Sequence, residues 1–131
     1  MPPKSQESYL FDILEAARAI QEFLGVTDRT VFEADRMRIR AVEREFEILG
    51  EAAKRVDESV RLEFPAIDFR AAAGMRDVIS HDYDNVRLDI LWKVSHETLP
   101  ILVELLERHL AKELRDITTD REPAERDGSA G

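Results

Sequence analysis

The feature that most constrains the fold of this chain is a run of apolar residues at helical spacing. It proceeds in steps of three and four residues through the middle of the chain, at Ile39, Val42, Phe46, Leu49, Ala53 and Val56. Residues at this spacing lie on one face of an α-helix. Similar stripes run from Leu10 to Leu24 and from Leu91 to Leu106, and no stretch alternates apolar and polar residues as a β-strand does. The sequence therefore predicts an all-α fold, an up-and-down helical bundle of four main helices plus a short one.

Residues that stop or start helices mark the predicted boundaries. Gly25 is expected to end the first helix, and Thr27 or Asp28 to cap the long helix that carries the central stripe. The opposite face of that long helix mixes both signs of charge, including Arg40 and Glu43. Such a face is expected to be exposed to solvent.

One helical domain and a tail account for the length of the chain. The 131 residues, with 44% hydrophobic content, suffice for one core. Asp57–Glu63 is expected to form a short helical turn, and Pro100 to kink the last helix. From Leu114 onward the apolar period fades and charged residues dominate. We therefore predict a helical domain at residues 1–113 and a flexible charged C-terminal tail at 114–131.

Charge and composition exclude several classes of protein. The formal net charge of -9 and the pI near 4.9 argue against a broad basic surface, so any contact with RNA is expected to be local. The absence of cysteine excludes a disulfide framework, a thiolate metal site and a thiol nucleophile. The N-terminus lacks the apolar run of a signal peptide, and no stretch has the apolar length of a membrane span. We expect a cytoplasmic protein with no membrane association.

Residues capable of phosphodiester chemistry are concentrated between Gly74 and Tyr83. Arg76 offers a cationic fork for a phosphate, and His81 can transfer a proton near neutral pH. Tyr83 adds a hydroxyl group, although a phenol with a pKa near 10 in water is a poor base at neutral pH. This set of side chains suits cleavage of a phosphodiester.

The spacing of these residues also suggests how a site could be assembled. Asp77 and His81 are four residues apart, so on a helix the carboxylate of Asp77 could hold and orient the imidazole. Arg76 and His81 would point about 140° apart on one straight helix. Either the helix ends or bends near Ser80, or a second copy of the chain supplies the missing partner across a two-fold interface. We favour the second arrangement, because the small residues Ala71–Gly74 suit a helix contact or a dimer seam.

Other candidate residues have simpler interpretations. His96 and His109 have no second ligand type at a recurring spacing and are expected to be surface histidines. Glu51 is either a helix-surface acid or a supporting partner of the site, and the small residues around it favour the latter. Asp77, His81, Asp82 and Asp84 have side chains of the types that bind metal ions, so a metal site is conceivable here. Catalytic zinc sites need three well-placed protein ligands, however, so neither a metal nor another cofactor is predicted.

The pattern Arg76-x4-His81-x-Tyr83, with Asp77 directly after the arginine, resembles the motif of the HEPN superfamily, in particular its HepT-like toxins. The resemblance extends from about residue 8 to residue 110 and includes the segments Phe46–Arg55, Phe64–Ile67, Leu91-Trp92 and Leu99-Pro100. One departure is Asp68-Phe69, where the family commonly carries a tryptophan.

This resemblance implies a metal-independent endoribonuclease toxin with Arg76 and His81 as catalytic residues in a homodimer cleft. The family's partner is a minimal nucleotidyltransferase antitoxin, which adds AMP to the tyrosine that matches Tyr83. Asp77 and Glu51 are predicted as supporting residues from their own spacing and surroundings. The alternative is a non-catalytic helical binding partner or regulatory substrate of a nucleotidyltransferase. The acidic net charge favours this alternative, and the intact motif favours the nuclease.

Overall fold

The computed structural model describes residues 5–81 and 84–130, except the side chains of Asp84 and of residues 119–130, and all regular structure within these ranges is helical. The all-α bundle predicted from the sequence is confirmed. Its helices are α1 (Gln6–Leu24), α2 (Arg29–Ala34), α3 (Arg36–Lys54), α4 (Glu58–Arg61), α5 (Phe69–His81), α6 (Asp84–Lys93) and α7 (Leu99–Ala130), with a π-helical turn at Val94–Thr98 between the last two.

The first helix begins and ends at residues with clear capping roles. The side chain of Ser5 accepts a hydrogen bond from the backbone N–H of Ser8 at 3.1 Å. Gly25 ends α1 with a φ of 53°, and its N–H donates to the carbonyl of Gln21. A positive φ is strained for residues with a Cβ atom, which explains why glycine occupies this position. The predicted end of the first helix is confirmed.

The single long helix predicted after residue 27 or 28 is wrong, because the segment forms two helices. Asp28 caps the short α2 through a hydrogen bond from the N–H of Val31, and Asp35 caps α3 in the same way through Arg38. Asp35 has an extended backbone, with φ -104° and ψ 90°, which interrupts the helix. Phe32, which is 1% exposed, anchors α2 to the core.

The apolar stripe of α3 forms the centre of the core. Val42, Phe46 and Ala53 are fully buried, and α3 packs against α1 on one side and α5 on the other. The last helix, α7, packs on α1. Burying a side chain as large as that of Phe46 contributes about 1.5–3 kcal/mol, so this stripe is a main source of stability.

The contact between α3 and α5 is unusually close at Gly50. A Cβ atom on Gly50 would lie 3.1 Å from the carbonyl oxygen of Ala72 and 3.4 Å from that of Ala73. Ala72 is itself buried. The small-residue run Ala71–Gly74 is therefore used in part for a helix contact within one chain. At Gly74, in contrast, a Cβ atom would meet nothing within 4 Å.

The start of α5 explains the Asp68-Phe69 pair. The carboxylate of Asp68 accepts a hydrogen bond from the N–H of Ala71 at 2.9 Å and so caps the helix. Phe69 is 3% exposed and packs edge-on against Phe64, with ring centroids 6.3 Å apart. Asp68 therefore starts the helix, and Phe69 supplies an aromatic ring to the core.

A widened turn joins α6 to α7 just before Pro100. The N–H of Leu99 donates to the carbonyl of Val94, five residues earlier. Proline lacks an N–H and its ring clashes with the carbonyl four residues earlier in a regular α-helix, and a π turn is a recognised way to accommodate such an irregularity. Beyond this turn α7 continues to Ala130.

The predicted boundary at residue 114 lies within α7, not at its end. Leu114 and Ile117 are 66% and 54% exposed, so the apolar packing of the helix does end near the predicted position. The flexibility of residues 114–131 stays a prediction. Among the described residues, no helix is both long enough and apolar enough to cross a membrane.

Candidate functional site

A cleft of about 390 Å³ lies where α1, α3 and α5 meet. Three arginines and three acids line it, namely Arg44, Arg55, Arg76, Asp12, Glu47 and Glu51, together with Tyr9, Ile48 and Ala52. Its cationic and anionic side chains balance in number. The cleft is therefore a place of strong local charge on a surface without net positive charge.

Arg76 projects from α5 towards Glu51 of α3. Its Nη1 atom donates to Oε2 of Glu51 at 3.0 Å, while Nη2 of Arg55 donates to Oε1 of the same carboxylate at 2.8 Å. Glu51 thus bridges two arginines. The close approach of the two helices at Gly50, directly before Glu51, brings the carboxylate within reach of α5. The structure therefore brings Arg76 and Glu51 together, as a supporting role for Glu51 requires.

Arg76 also borders a second, smaller cleft of about 270 Å³. This cleft lies on the Lys54 and Asp77 side of the α3–α5 contact and includes Gly50 and Gly74. The side chain of Arg76 is 63% exposed, so its guanidinium is accessible from solvent. A phosphate group entering either cleft would meet this cation.

His81 lies at the end of α5 and is exposed. Its Nδ1 donates to the main-chain carbonyl of Asp77 at 3.2 Å, which is a tautomer assignment made from the hydrogen bond. The predicted contact from the carboxylate of Asp77 is not present, because the ring turns back to the carbonyl of the preceding helical turn. His96 makes the same contact with the carbonyl of Trp92 at 2.8 Å. In this arrangement Nε2 of His81 is left as the nitrogen that can exchange a proton with a substrate.

One protomer does not bring Arg76 and His81 to one face of α5. The helix is continuous from Phe69 to His81, so the two side chains point about 140° apart. His81 lines neither of the two clefts that Arg76 borders. The described part of α5 therefore has no break at Ser80, and the helix ends at His81, one residue later.

Two further predictions lie outside the described residues. Tyr83, the predicted site of AMP attachment, is not described, and neither is Asp82. The side chain of Asp84 is also not described, so the set Asp77, His81, Asp82 and Asp84 has no geometry to compare with a metal site.

Sequence reasoning missed Arg44 and Arg55 as residues of the cleft. The spacing of four residues between Glu51 and Arg55 was a usable signal, because it favours an ion pair on a helix. The expectation that His109 is a surface histidine is wrong: its side chain is 16% exposed and packs edge-on against Phe64. That contact joins residues far apart in sequence, so no local pattern could have revealed it.

Comparison with known proteins places this chain in a family. A family model described as Ribonuclease HepT-like matches residues 13–109. A Methanocaldococcus jannaschii protein named as a candidate RNase is 32% identical over 100 residues, covering 76% of this chain and 92% of the relative. A Thermococcus cleftensis protein named as a candidate ribonuclease HepT is 37% identical over 99 residues, covering 76% and 90%.

A bacterial relative extends the match over more of the chain. A Caldanaerobacter subterraneus protein named as a candidate RNase is 30% identical over 110 residues, which cover 84% of this chain and 98% of the relative. No solved structure matches the chain. The helical bundle, the sequence motif and these relatives agree, and the chain belongs to the ribonuclease HepT-like family of the HEPN superfamily.

Proposed function

We propose that this protein is a metal-independent endoribonuclease toxin of a toxin–antitoxin pair, with Arg76 and His81 as its catalytic residues. The observation that carries the proposal is the exposed guanidinium of Arg76 at the border of two clefts, on the same helix as an exposed histidine. Arginine recognises phosphate through a fixed fork of donors, and histidine exchanges protons near neutral pH. RNA is the substrate that supplies both a phosphate and an internal nucleophile.

The reaction follows from these two side chains. The ribose 2′-hydroxyl attacks the adjacent phosphorus, the bond from phosphorus to the 5′-oxygen breaks, and a proton moves from the 2′-oxygen to the leaving 5′-oxygen. His81 assists this proton movement through Nε2, and Arg76 stabilises the negative charge that develops on the phosphate. The products are a 2′,3′-cyclic phosphate and a 5′-hydroxyl. This route requires no metal ion.

A homodimer completes the site in this proposal. Because Arg76 and His81 point to different sides of α5, the arginine of one copy acts with the histidine of its partner across a two-fold axis. Glu51 supports the site by holding Arg76, and Asp77 supports it through the carbonyl that orients His81. The supporting atom of Asp77 is thus its main-chain oxygen, so the identity of its side chain matters less.

The test is RNA cleavage by the purified protein in the presence of EDTA. Cleavage should persist with the chelator, and Arg76→Ala and His81→Ala should each lower the rate by about 10² to 10⁴-fold. His96→Ala is the matched control, because His96 makes the same hydrogen bond to the helix but lies on another element. Cleavage that requires added magnesium and leaves 5′-phosphates would overturn the mechanism.

The antitoxin in this proposal is a minimal nucleotidyltransferase that transfers AMP from ATP to the hydroxyl of Tyr83, releasing pyrophosphate. An attached AMP two residues from His81 would place a negative phosphate and a bulky base where RNA must approach, and both effects oppose cleavage. Intact mass after incubation with the cognate transferase and ATP tests this step. The adduct should disappear in Tyr83→Phe and persist in Tyr9→Phe, since Tyr9 is the only other tyrosine in the chain. An adduct that persists in Tyr83→Phe would contradict the assignment.

The second candidate function is a non-catalytic partner or regulatory substrate of a nucleotidyltransferase. It is favoured by the paired state of Arg55 and Arg76, both of which bind Glu51, and by the net charge of -9. In that case Tyr83 would still accept AMP, but the purified protein would cleave no RNA and His81→Ala would behave like the unmodified sequence. A cytoplasmic location is part of both proposals.

A further inference from the structure

A separate cluster of polar side chains joins the first turn of α1 to α7. Its members are Glu7, His109 and Glu113, and none of them lines the clefts that Arg76 borders. The Nε2 atom of His109 lies 2.9 Å and 3.0 Å from the two carboxylate oxygens of Glu7. One ligand atom from each of the three side chains lies within 4.8 Å of the others.

The imidazole of His109 is held in place before any ligand arrives. Its side chain is 16% exposed, and its ring packs edge-on against Phe64 with centroids 5.0 Å apart and planes at 84°. Glu113 follows His109 by one helical turn, so both side chains project from one face of α7. Glu7 is 48% exposed at the opposite side of the cluster and leaves it open to solvent.

The cluster has the chemistry of a transition-metal site. Zinc binds histidine nitrogen and carboxylate oxygen at about 2.0–2.2 Å, so two ligand atoms on one tetrahedral ion lie about 3.3 Å apart. The contacts between His109 and Glu7 are a few tenths of an ångström shorter than this, and small side-chain rotations would adjust them. Imidazole favours zinc and its neighbours over magnesium or calcium, which prefer oxygen ligands.

We propose that Glu7, His109 and Glu113 form a binding site for a divalent transition-metal ion of the zinc class. Water supplies the fourth ligand from the open side. A simple ion pair between His109 and Glu7 would leave Glu113 without a role, and among the described side chains no cation lies within ion-pair distance of Glu113. The site does not depend on the proposed nuclease activity, and its role is structural because it ties the start of α1 to α7.

Metal binding at this site should stabilise the folded chain against unfolding. A ligand that binds only the folded state raises the unfolding temperature, and free metal at ten times its dissociation constant should raise it by about 4 °C in a chain of this length. Zn²⁺ should bind with one ion per chain, and Co²⁺ should give the visible absorption of a four-coordinate site. Mg²⁺ should have no effect.

The experiment uses the full chain without an affinity tag. Zn²⁺ binding is measured by titration calorimetry and by thermal unfolding for the unmodified sequence, His109→Ala and Glu113→Gln. Both variants should lose the shift in unfolding temperature, and Glu113→Gln should weaken Zn²⁺ binding at least tenfold. Glu104→Gln on the same helix is the control, since Glu104 pairs only with the exposed Arg108 among the described residues, and it should bind as the unmodified sequence does.

Two results would contradict the proposed metal site. Equal binding by Glu113→Gln and the unmodified sequence would overturn the site, as would the absence of saturable Zn²⁺ binding to the unmodified sequence. If His109→Ala fails to fold, the isosteric Glu113→Gln variant still decides, because it leaves both the Phe64 contact and the Glu7 contact of His109 intact.

Discussion

Two carboxylates on α3 show how burial decides what a residue can do. Glu51 is 39% exposed and shared between Arg55 and Arg76. Exposed ion pairs contribute about 0–1 kcal/mol to stability, so a substrate phosphate can displace this carboxylate from Arg76 at little cost. Glu43 was predicted to be exposed to solvent, but its side chain is only 5% exposed, between Arg40 at 2.8 Å and Arg87 at 2.7 Å. Under the proposed function, a phosphate therefore replaces Glu51 as the partner of Arg76, whereas Glu43 is part of the packed interior.

This difference predicts opposite results for two matching substitutions on one helix. Glu51→Gln should change the free energy of unfolding by less than about 1 kcal/mol and should tighten binding of a non-cleavable RNA, because the competing charge on Arg76 is removed. Glu43→Gln should cost more, about 1.5–3 kcal/mol, because the neutral amide loses the charge-assisted contacts that this nearly buried carboxylate makes with Arg40 and Arg87. Urea unfolding and RNA binding measure the two effects. Equal destabilisation by both substitutions would show that Glu51 is not a displaceable partner.

At the scale of the helices, the two glycines of the α3–α5 region have different roles. Gly50 faces the main chain of α5, where an added Cβ atom would be 3.1 Å from a carbonyl oxygen, whereas Gly74 faces open space. Both lie within helices, where alanine is favoured over glycine by about 0.5–1 kcal/mol. Only the surroundings therefore distinguish them.

We expect Gly74→Ala to raise the free energy of unfolding by about 0.5–1 kcal/mol. Gly50→Ala should fail to give this gain, and Gly50→Leu should lower stability by about 1–3 kcal/mol or more because it forces α3 and α5 apart. Thermal or urea unfolding of the three variants checks this. A stabilised Gly50→Ala variant would mean that the two helices can separate without loss.

The helices could be predicted from the sequence much better than the contacts between them. The apolar stripe through Val42 and Phe46 is local and periodic, so the core face of α3 was predictable. The break between α2 and α3 was not predictable, because Asp35 ends one helix and caps the next within an otherwise helical pattern. At the candidate site, Arg76 and His81 could be selected from the sequence because of their side-chain types and spacing. The bridge from Glu51 to two arginines could not, because it depends on how closely α3 approaches α5.

For the whole molecule, the proposed site requires a dimer, because the side chains of Arg76 and His81 point to different sides of α5. This requirement can be tested. If the arginine of one copy acts with the histidine of the other, a mixed dimer of Arg76→Ala and His81→Ala chains contains one intact site. Statistical mixing of the two inactive proteins should then restore about a quarter of the unmodified activity. A site contained within one chain predicts no recovery, and this outcome would overturn the composite site.

A substitution at the open glycine provides the corresponding physical measurement. Gly74→Glu has room in a single chain, since nothing lies within 4 Å of the added Cβ atom. If Ala71–Gly74 contributes to the dimer seam, a charge at Gly74 should weaken the dimer in sedimentation equilibrium, because it would be buried without a partner. Ala72 is unsuitable for this test, because it is already buried against α3. An unmodified protein that sediments as a monomer at micromolar concentration would remove the basis of the shared site.

The balanced charges of the cleft have a consequence for the ionic conditions in which the protein can work. Nucleic-acid binding by a broad basic surface is driven by release of counterions from the phosphates, and it weakens steeply as salt rises. Here three arginines face three acids, so few phosphates can be neutralised at one time. The logarithm of RNA affinity should therefore fall against the logarithm of salt concentration with a slope no steeper than about -2 per cleft. A fourfold rise in salt would then lower the RNA affinity by at most about 16-fold, against about 10³ to 10⁵-fold for a protein that makes six to ten phosphate contacts.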